Sequence, residues 1–196
     1  MHEIYNSRFQ RQCMILHPGE FYASGEDLII STVLGSCIAV VFYDPIHRIG
    51  AMNHFMLPGT LREDGFFNTE GGKYGMYAME LAINEMLKLG ARRERLRCKV
   101  FGGAHVLRGG GPAHEASVPQ NNINFAFNYL ETERITVESS DVGGTVARKV
   151  LLFPQTFKVL LKRITGTLIT DVEKEEKDYL RRIKTESKKP SEPTLF

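Results

Sequence analysis

The chain has 196 residues, 42% of them apolar and 24% charged, and a formal net charge of +2. Those values fit one globular domain with a substantial core, or one domain with a tail. The basic residues are not massed on one segment ahead of the tail, so charge gives no ground for a nucleic-acid partner. No apolar run approaches the roughly 18 residues that span a bilayer, which excludes membrane insertion by a helix, and the start MHEIYNSRFQRQ is too polar for a secretory leader. Cys13, Cys37 and Cys98 form no CxxC pair and leave one thiol over. That pattern reads as reduced thiols in the cytoplasm.

Residues 1–12 are polar and read as a flexible arm. Short strands are expected at Cys13–Leu16 and Phe21–Ala23, separated by the turn His17-Pro18-Gly19. Asp27–Val33 and Cys37–Tyr43 are rich in β-branched and apolar residues, and Leu34-Gly35-Ser36 is the tight joint between them. From Tyr74 to Leu89 the period becomes helical, with Met76, Met79, Ile83, Met86 and Leu87 on one stripe and Gly90 at the capping position. That stripe reads as core. A strand follows at Leu96–Phe101, then a glycine-rich loop from Gly102 to Asn122. Ile123–Leu130 is helical in pattern, and strands are expected at Arg134–Glu138, Lys149–Phe153 and Phe157–Arg163. From Asp171 the tail has a weak amphipathic helical pattern on Val172, Tyr179, Leu180 and Ile183, and its last dozen residues are polar and proline-containing. The domain expected at 13–170, followed by the charged tail 171–196, is of the layered α/β class, a sandwich of β-sheets flanked by helices.

The segment STVLGSCIAVVFYDPIHRIGAMNHFMLP carries one cysteine and, seventeen residues on, one histidine. Asp44-Pro45 is a turn signal, because aspartate suits the first turn position and proline presets φ at the second. A four-residue loop Asp44–His47 closed by Tyr43 opposite Arg48 places Cys37 directly opposite His54 on one face. A one-residue slip would separate them. Two readings follow: a buried structural thiol beside a structural histidine, or a nucleophile with its base. In the second, Gly35 permits an unusual backbone angle that aims the Ser36 and Cys37 amides at one point, as an oxyanion site requires. Cys13 and Cys98 have no such partner and read as structural. No His, Cys or Asp spacing fits a zinc site, and no Lys-Ser/Thr follows the glycine runs, so neither metal nor nucleotide is expected.

STVLGSC, YDP and MNHFMLP, with KYG, KVFGGA and DVGGTVARKV further on, closely resemble the CheD family of bacterial chemoreceptor glutamine deamidases, over roughly residues 13–163. The resemblance implies a layered α/β fold similar to the deamidase domain of necrotizing toxins. It also implies a Cys–His–Thr site without metal or organic cofactor. Cys37 falls on the nucleophile and His54 on the base. The family's threonine, six residues before the cysteine, falls on Ser31, with Thr32 beside it, and either hydroxyl is available to orient His54. Two stretches depart from the family pattern: Val118-Pro119-Gln120-Asn121-Asn122, and Ala147 in place of a glycine. The implied partners are chemoreceptor cytoplasmic domains and a CheC-type phosphatase. A role as a non-catalytic adaptor on those partners, or transglutamination through the same thioester, are the alternatives.

Overall fold

A computed structural model describes residues 1–57, 70–106, 118–165 and 168–186. Ten strands form two five-stranded sheets. One sheet has the order β1-β2-β4-β9-β10, built from His2–Asn6, Arg11–Ile15, Ile29–Leu34, Arg148–Phe153 and Lys158–Arg163. The other has the order β3-β6-β5-β7-β8, from Phe21–Ser24, Ile49–Asn53, Ile38–Asp44, Arg97–Gly102 and Thr136–Val142. The pairs β2–β4 and β7–β8 are parallel and the remaining neighbours antiparallel. Helices α1 (Glu70–Lys88), α2 (Val118–Thr132) and α3 (Leu168–Glu186) complete the described chain. The layered α/β class expected from the sequence is the one observed.

The central strand explains the layering. All seven residues of β5 are buried, as a strand covered on both faces demands. Ile38, Val40 and Phe42 point to one side, into a core shared with Met79, Ile83 and Met86 of α1 and with Phe125, Tyr129 and Leu130 of α2. Cys37, Ala39 and Val41 point to the other, against Ile30 and Leu34 of β4 and Val150 and Leu152 of β9. The order of layers is therefore sheet, sheet, then α1 with α2. The methionine stripe of α1 is core, as its spacing predicts. Gly90 ends that helix with φ of +104°, a conformation natural to glycine at this position.

Three expectations change. The N-terminal segment is not a loose arm: His2–Asn6 pairs antiparallel with Arg11–Ile15, since Ile4 and Tyr5 give it strand character that its polar neighbours mask. Helix α2 starts at Val118, five residues before the expected Ile123. Pro119 is compatible with this because a first-turn amide has no helical acceptor to lose. The weak amphipathic pattern of the tail becomes a 19-residue helix that begins ahead of Asp171. The middle of the glycine-rich loop and the last ten residues lie outside the described residues.

Candidate active site at the sheet interface

Cys37 and His54 come from neighbouring strands of one sheet, and the hairpin that joins them is shifted from the expected register. Asp44 pairs with Ile49 and Val41 with Met52, and beyond the regular ladder Ile38 bridges Phe55 through two 2.9 Å backbone bonds. Cys37 is thus opposite Met56, with His54 diagonal to it. The cause is local. Asp44 Oδ1 accepts the amides of Ile46 (2.8 Å) and His47 (3.2 Å), and Arg48 takes φ of +56°, so the loop runs one residue later on both sides. A two-residue shift preserves the face. Cys37 and His54 still share it, and both are buried.

The histidine is oriented from the opposite sheet. Thr32 Oγ1 of β4 lies 2.7 Å from His54 Nδ1 and 2.8 Å from the Leu16 carbonyl. Ser31, the position expected from the resemblance, does not serve this role: its buried hydroxyl has no hydrogen-bond partner. Strand alternation gives the reason. Ile30, Thr32 and Leu34 face the sheet interface and Ser31 faces away. His54 Nε2 is buried and unpartnered. Burial above all pushes the imidazole pKa down to about 3, so the ring is neutral at physiological pH.

The amides of the joint Gly35-Ser36-Cys37 converge on one point, and its occupant comes from an element that sequence reasoning did not connect to the site. Glu176 of α3 accepts the amides of Gly35 (2.9 Å), Ser36 (2.9 Å) and Cys37 (3.1 Å), and the Ser36 hydroxyl at 2.7 Å. Gly35 matters for space and not for an unusual angle, since it has no positive φ. A Cβ there would stand 2.7 Å from Val106 and 2.9 Å from the Glu176 carboxylate. Burial, then the charge and hydrogen bond of Glu176, raise the Cys37 thiol well above its ordinary pKa. The thiol is therefore protonated in this arrangement.

Two asparagines that the sequence reading did not single out hold the frame. Asn122, fully buried on α2, accepts the Leu57 amide at 2.8 Å and donates to the Ser36 carbonyl at 2.9 Å. It ties the joint that carries Cys37 to the segment after His54. Asn53 accepts the Val40 amide at 2.8 Å and donates to Ala78 of α1. The available signal was a polar residue within an apolar helical stripe, with Phe125, Ala126 and Tyr129 following Asn122. Cys13 and Cys98 are also buried; burial raises both thiols, that of Cys98 to about 12. Among the described residues no cluster of His, Cys, Asp and Glu is placed to hold a metal, and no described helix is long and apolar enough to cross a membrane.

A donor ring beside a buried thiol, with a neutral imidazole fixed through Nδ1, is suited to acyl transfer. Comparison with known proteins points the same way. The sequence pattern of the family described as CheD chemotactic sensory transduction matches residues 56–163. Over 180 residues the chain is 42% identical to a protein of Shewanella oneidensis named probable chemoreceptor glutamine deamidase CheD 1, covering 92% of this chain and 86% of that one. A protein of the same name from Albidiferax ferrireducens is 51% identical over 156 residues, which are 80% of this chain and 63% of its relative. The probable chemoreceptor glutamine deamidase CheD of Vibrio vulnificus is 38% identical over 205 residues, covering 99% and 94%.

Proposed function

The chain belongs to the CheD family, and from that membership we propose that it deamidates chemoreceptor glutamines in chemotaxis, with Cys37 as the nucleophile. The relatives' names give the reaction and the substrate. The observation that carries the assignment to residues is the joint Gly35-Ser36-Cys37, whose three amides converge on one carboxylate beside the thiol.

The chemistry follows from the protonation states. A neutral thiol and a neutral imidazole react by general-base catalysis: His54 Nε2 takes the Cys37 proton as sulfur bonds to the glutamine side-chain carbonyl carbon. The charge that develops on the carbonyl oxygen goes to the amides that now hold Glu176. The imidazolium returns its proton to the amide nitrogen, the C–N bond breaks, and ammonia leaves. Water, deprotonated by His54 Nε2, attacks the thioester. The C–S bond breaks, giving glutamate and restoring the thiol. Thr32 keeps Nε2 free for these transfers by occupying Nδ1, and each event turns a neutral receptor side chain into an anion.

The test is incubation of the chain with a receptor cytoplasmic fragment, followed by ammonia release and by mass spectrometry of the receptor peptides. Wild type converts specific glutamines to glutamate. Cys37→Ala, folded by circular dichroism, leaves them as amides. Conversion at the wild-type rate in that variant would remove Cys37 from the mechanism.

A further inference from the structure

Glu176 stands where the proposed reaction leaves its product. It is a glutamate side chain, 4% exposed, with its carboxylate on three amides and a hydroxyl at 2.7–3.1 Å. A buried carboxylate is tolerated only when hydrogen-bonded so fully. We propose that α3 is an autoinhibitory strap that seats Glu176 as a built-in pseudo-product, so that a receptor segment enters only when α3 leaves. The proposal rests on the deamidase reading for the identity of what it displaces. The blockade itself rests on geometry alone.

The rest of the helix is shaped for this seat. Val172, Glu176 and Tyr179 lie on one face at spacings of four and three, and all three are buried. Val172 packs with Val106, Ala147 and Ile164. The Tyr179 hydroxyl meets that of Tyr74, and the same hydroxyl fills space that a Cβ on Gly19 would occupy, 2.6 Å away, with the ring edge 3.0 Å away. On the flank, Glu175 pairs with His17 at 2.6 Å. Two glycines thus leave room for two α3 side chains, Gly35 for Glu176 and Gly19 for Tyr179. Among the residues of α3 whose burial is described, Lys174, Lys177, Asp178, Arg181 and Arg182 are exposed, which leaves a short contact stripe. Such a helix draws most of its stability from packing its apolar face, so a hold through so short a stripe is the kind a better-fitting segment displaces.

The strap acts twice on the nucleophile. It fills the donor ring, and its negative charge beside Cys37 opposes thiolate formation.

The experiment measures Cys37 alkylation by iodoacetamide in the full-length chain, resolved by peptide mass spectrometry, with Cys98 as an internal reporter of general unfolding. Glu176→Ala is expected to raise the Cys37 rate on the order of tenfold or more, with Cys98 unchanged. Lys177→Ala, on the exposed side, is expected to match wild type. Equal Cys37 rates in Glu176→Ala and wild type overturn the blockade. A rise shared by Cys98 indicates a loosened fold and passes the decision to Glu176→Gln, which keeps the length of the side chain. There the introduced amide is expected to become an acid, and to persist when Cys37→Ala is added. Persistence with Cys37 present, in a preparation that deamidates receptor fragments, overturns the pseudo-product placement. If neither amide is hydrolysed, it is the deamidase reading that fails, and the blockade is decided by the ratio of the Cys37 to the Cys98 alkylation rate in Glu176→Ala: a ratio equal to that of wild type overturns it.

Discussion

Thr32 Oγ1 accepts from His54 Nδ1 at 2.7 Å and donates its only proton to the Leu16 carbonyl at 2.8 Å. Because a carbonyl cannot donate, the hydroxyl proton is committed to Leu16, and the proton between threonine and histidine belongs to the ring. His54 is therefore the Nδ1–H tautomer, with a bare lone pair on Nε2. An orienting group that fixes a tautomer in this way is what a histidine base needs.

Thr32→Val removes that acceptor while keeping the shape of the side chain. Deamidation by this variant is expected to fall about 10- to 100-fold, the usual cost of losing a group that orients a functional histidine. Thr32→Ser restores most of it, and Ser31→Ala stays near wild type because its hydroxyl bonds to nothing. Nitrogen-15 shifts of His54 give a second readout: the Nδ1–H tautomer dominates in wild type and is mixed in Thr32→Val. A large loss in Ser31→Ala with none in Thr32→Val would reverse the assignment.

The choice between these two hydroxyls shows where the sequence is legible and where it stops. Periodicity located both sheets' main strands and the buried face of α1, and the Asp44-Pro45 turn signal gave the shared face of Cys37 and His54. The hairpin register was two residues off, because the Asp44 side chain caps the loop amides and moves the turn, yet an even shift preserves the face. Alternation along Ile30, Thr32 and Leu34 was a signal that puts Thr32 at the interface, but it was not used, and positional likeness to a family motif pointed one residue away. Glu176 was not legible at all. It lies some 140 residues from its partners in a segment whose composition resembles a solvated helix, and only the tertiary fold brings it to Gly35.

The buried imidazole makes stability depend on pH. His54 has a folded pKa of about 3, below its ordinary value of 6.5, so the unfolded chain takes up this proton first. Its contribution is fully present above about pH 6.5 and is lost progressively as pH falls toward about 3, at up to about 1.4 kcal/mol per pH unit. Denaturant melts at pH 7 and pH 5 are expected to show a drop in wild type that shrinks in His54→Gln. The window lies above most carboxylate titration. Equal drops in both proteins would mean that His54 is charged or solvated in the fold.

Asn122 offers a test of how the donor ring is aimed. Its side chain donates to the Ser36 carbonyl, and that carbonyl shares a planar peptide with the Cys37 amide. Pulling the carbonyl toward α2 points the amide the opposite way, at the position Glu176 now fills. The Gly35 carbonyl does the same for the Ser36 amide by accepting from Ala104 at 2.7 Å. Asn122→Leu fills a similar volume but strands the Leu57 amide and the Ser36 carbonyl in the dry interior, at a cost of about 2–5 kcal/mol in denaturant melts. As a positioning residue, Asn122 is expected to affect kcat more than KM, since a misaimed amide weakens the transition state and leaves docking of the receptor intact. A melt shifted as expected, with kcat and KM both unchanged at a temperature where the variant is folded, would confine Asn122 to stability and leave the aim of the Cys37 amide to the neighbouring backbone bonds.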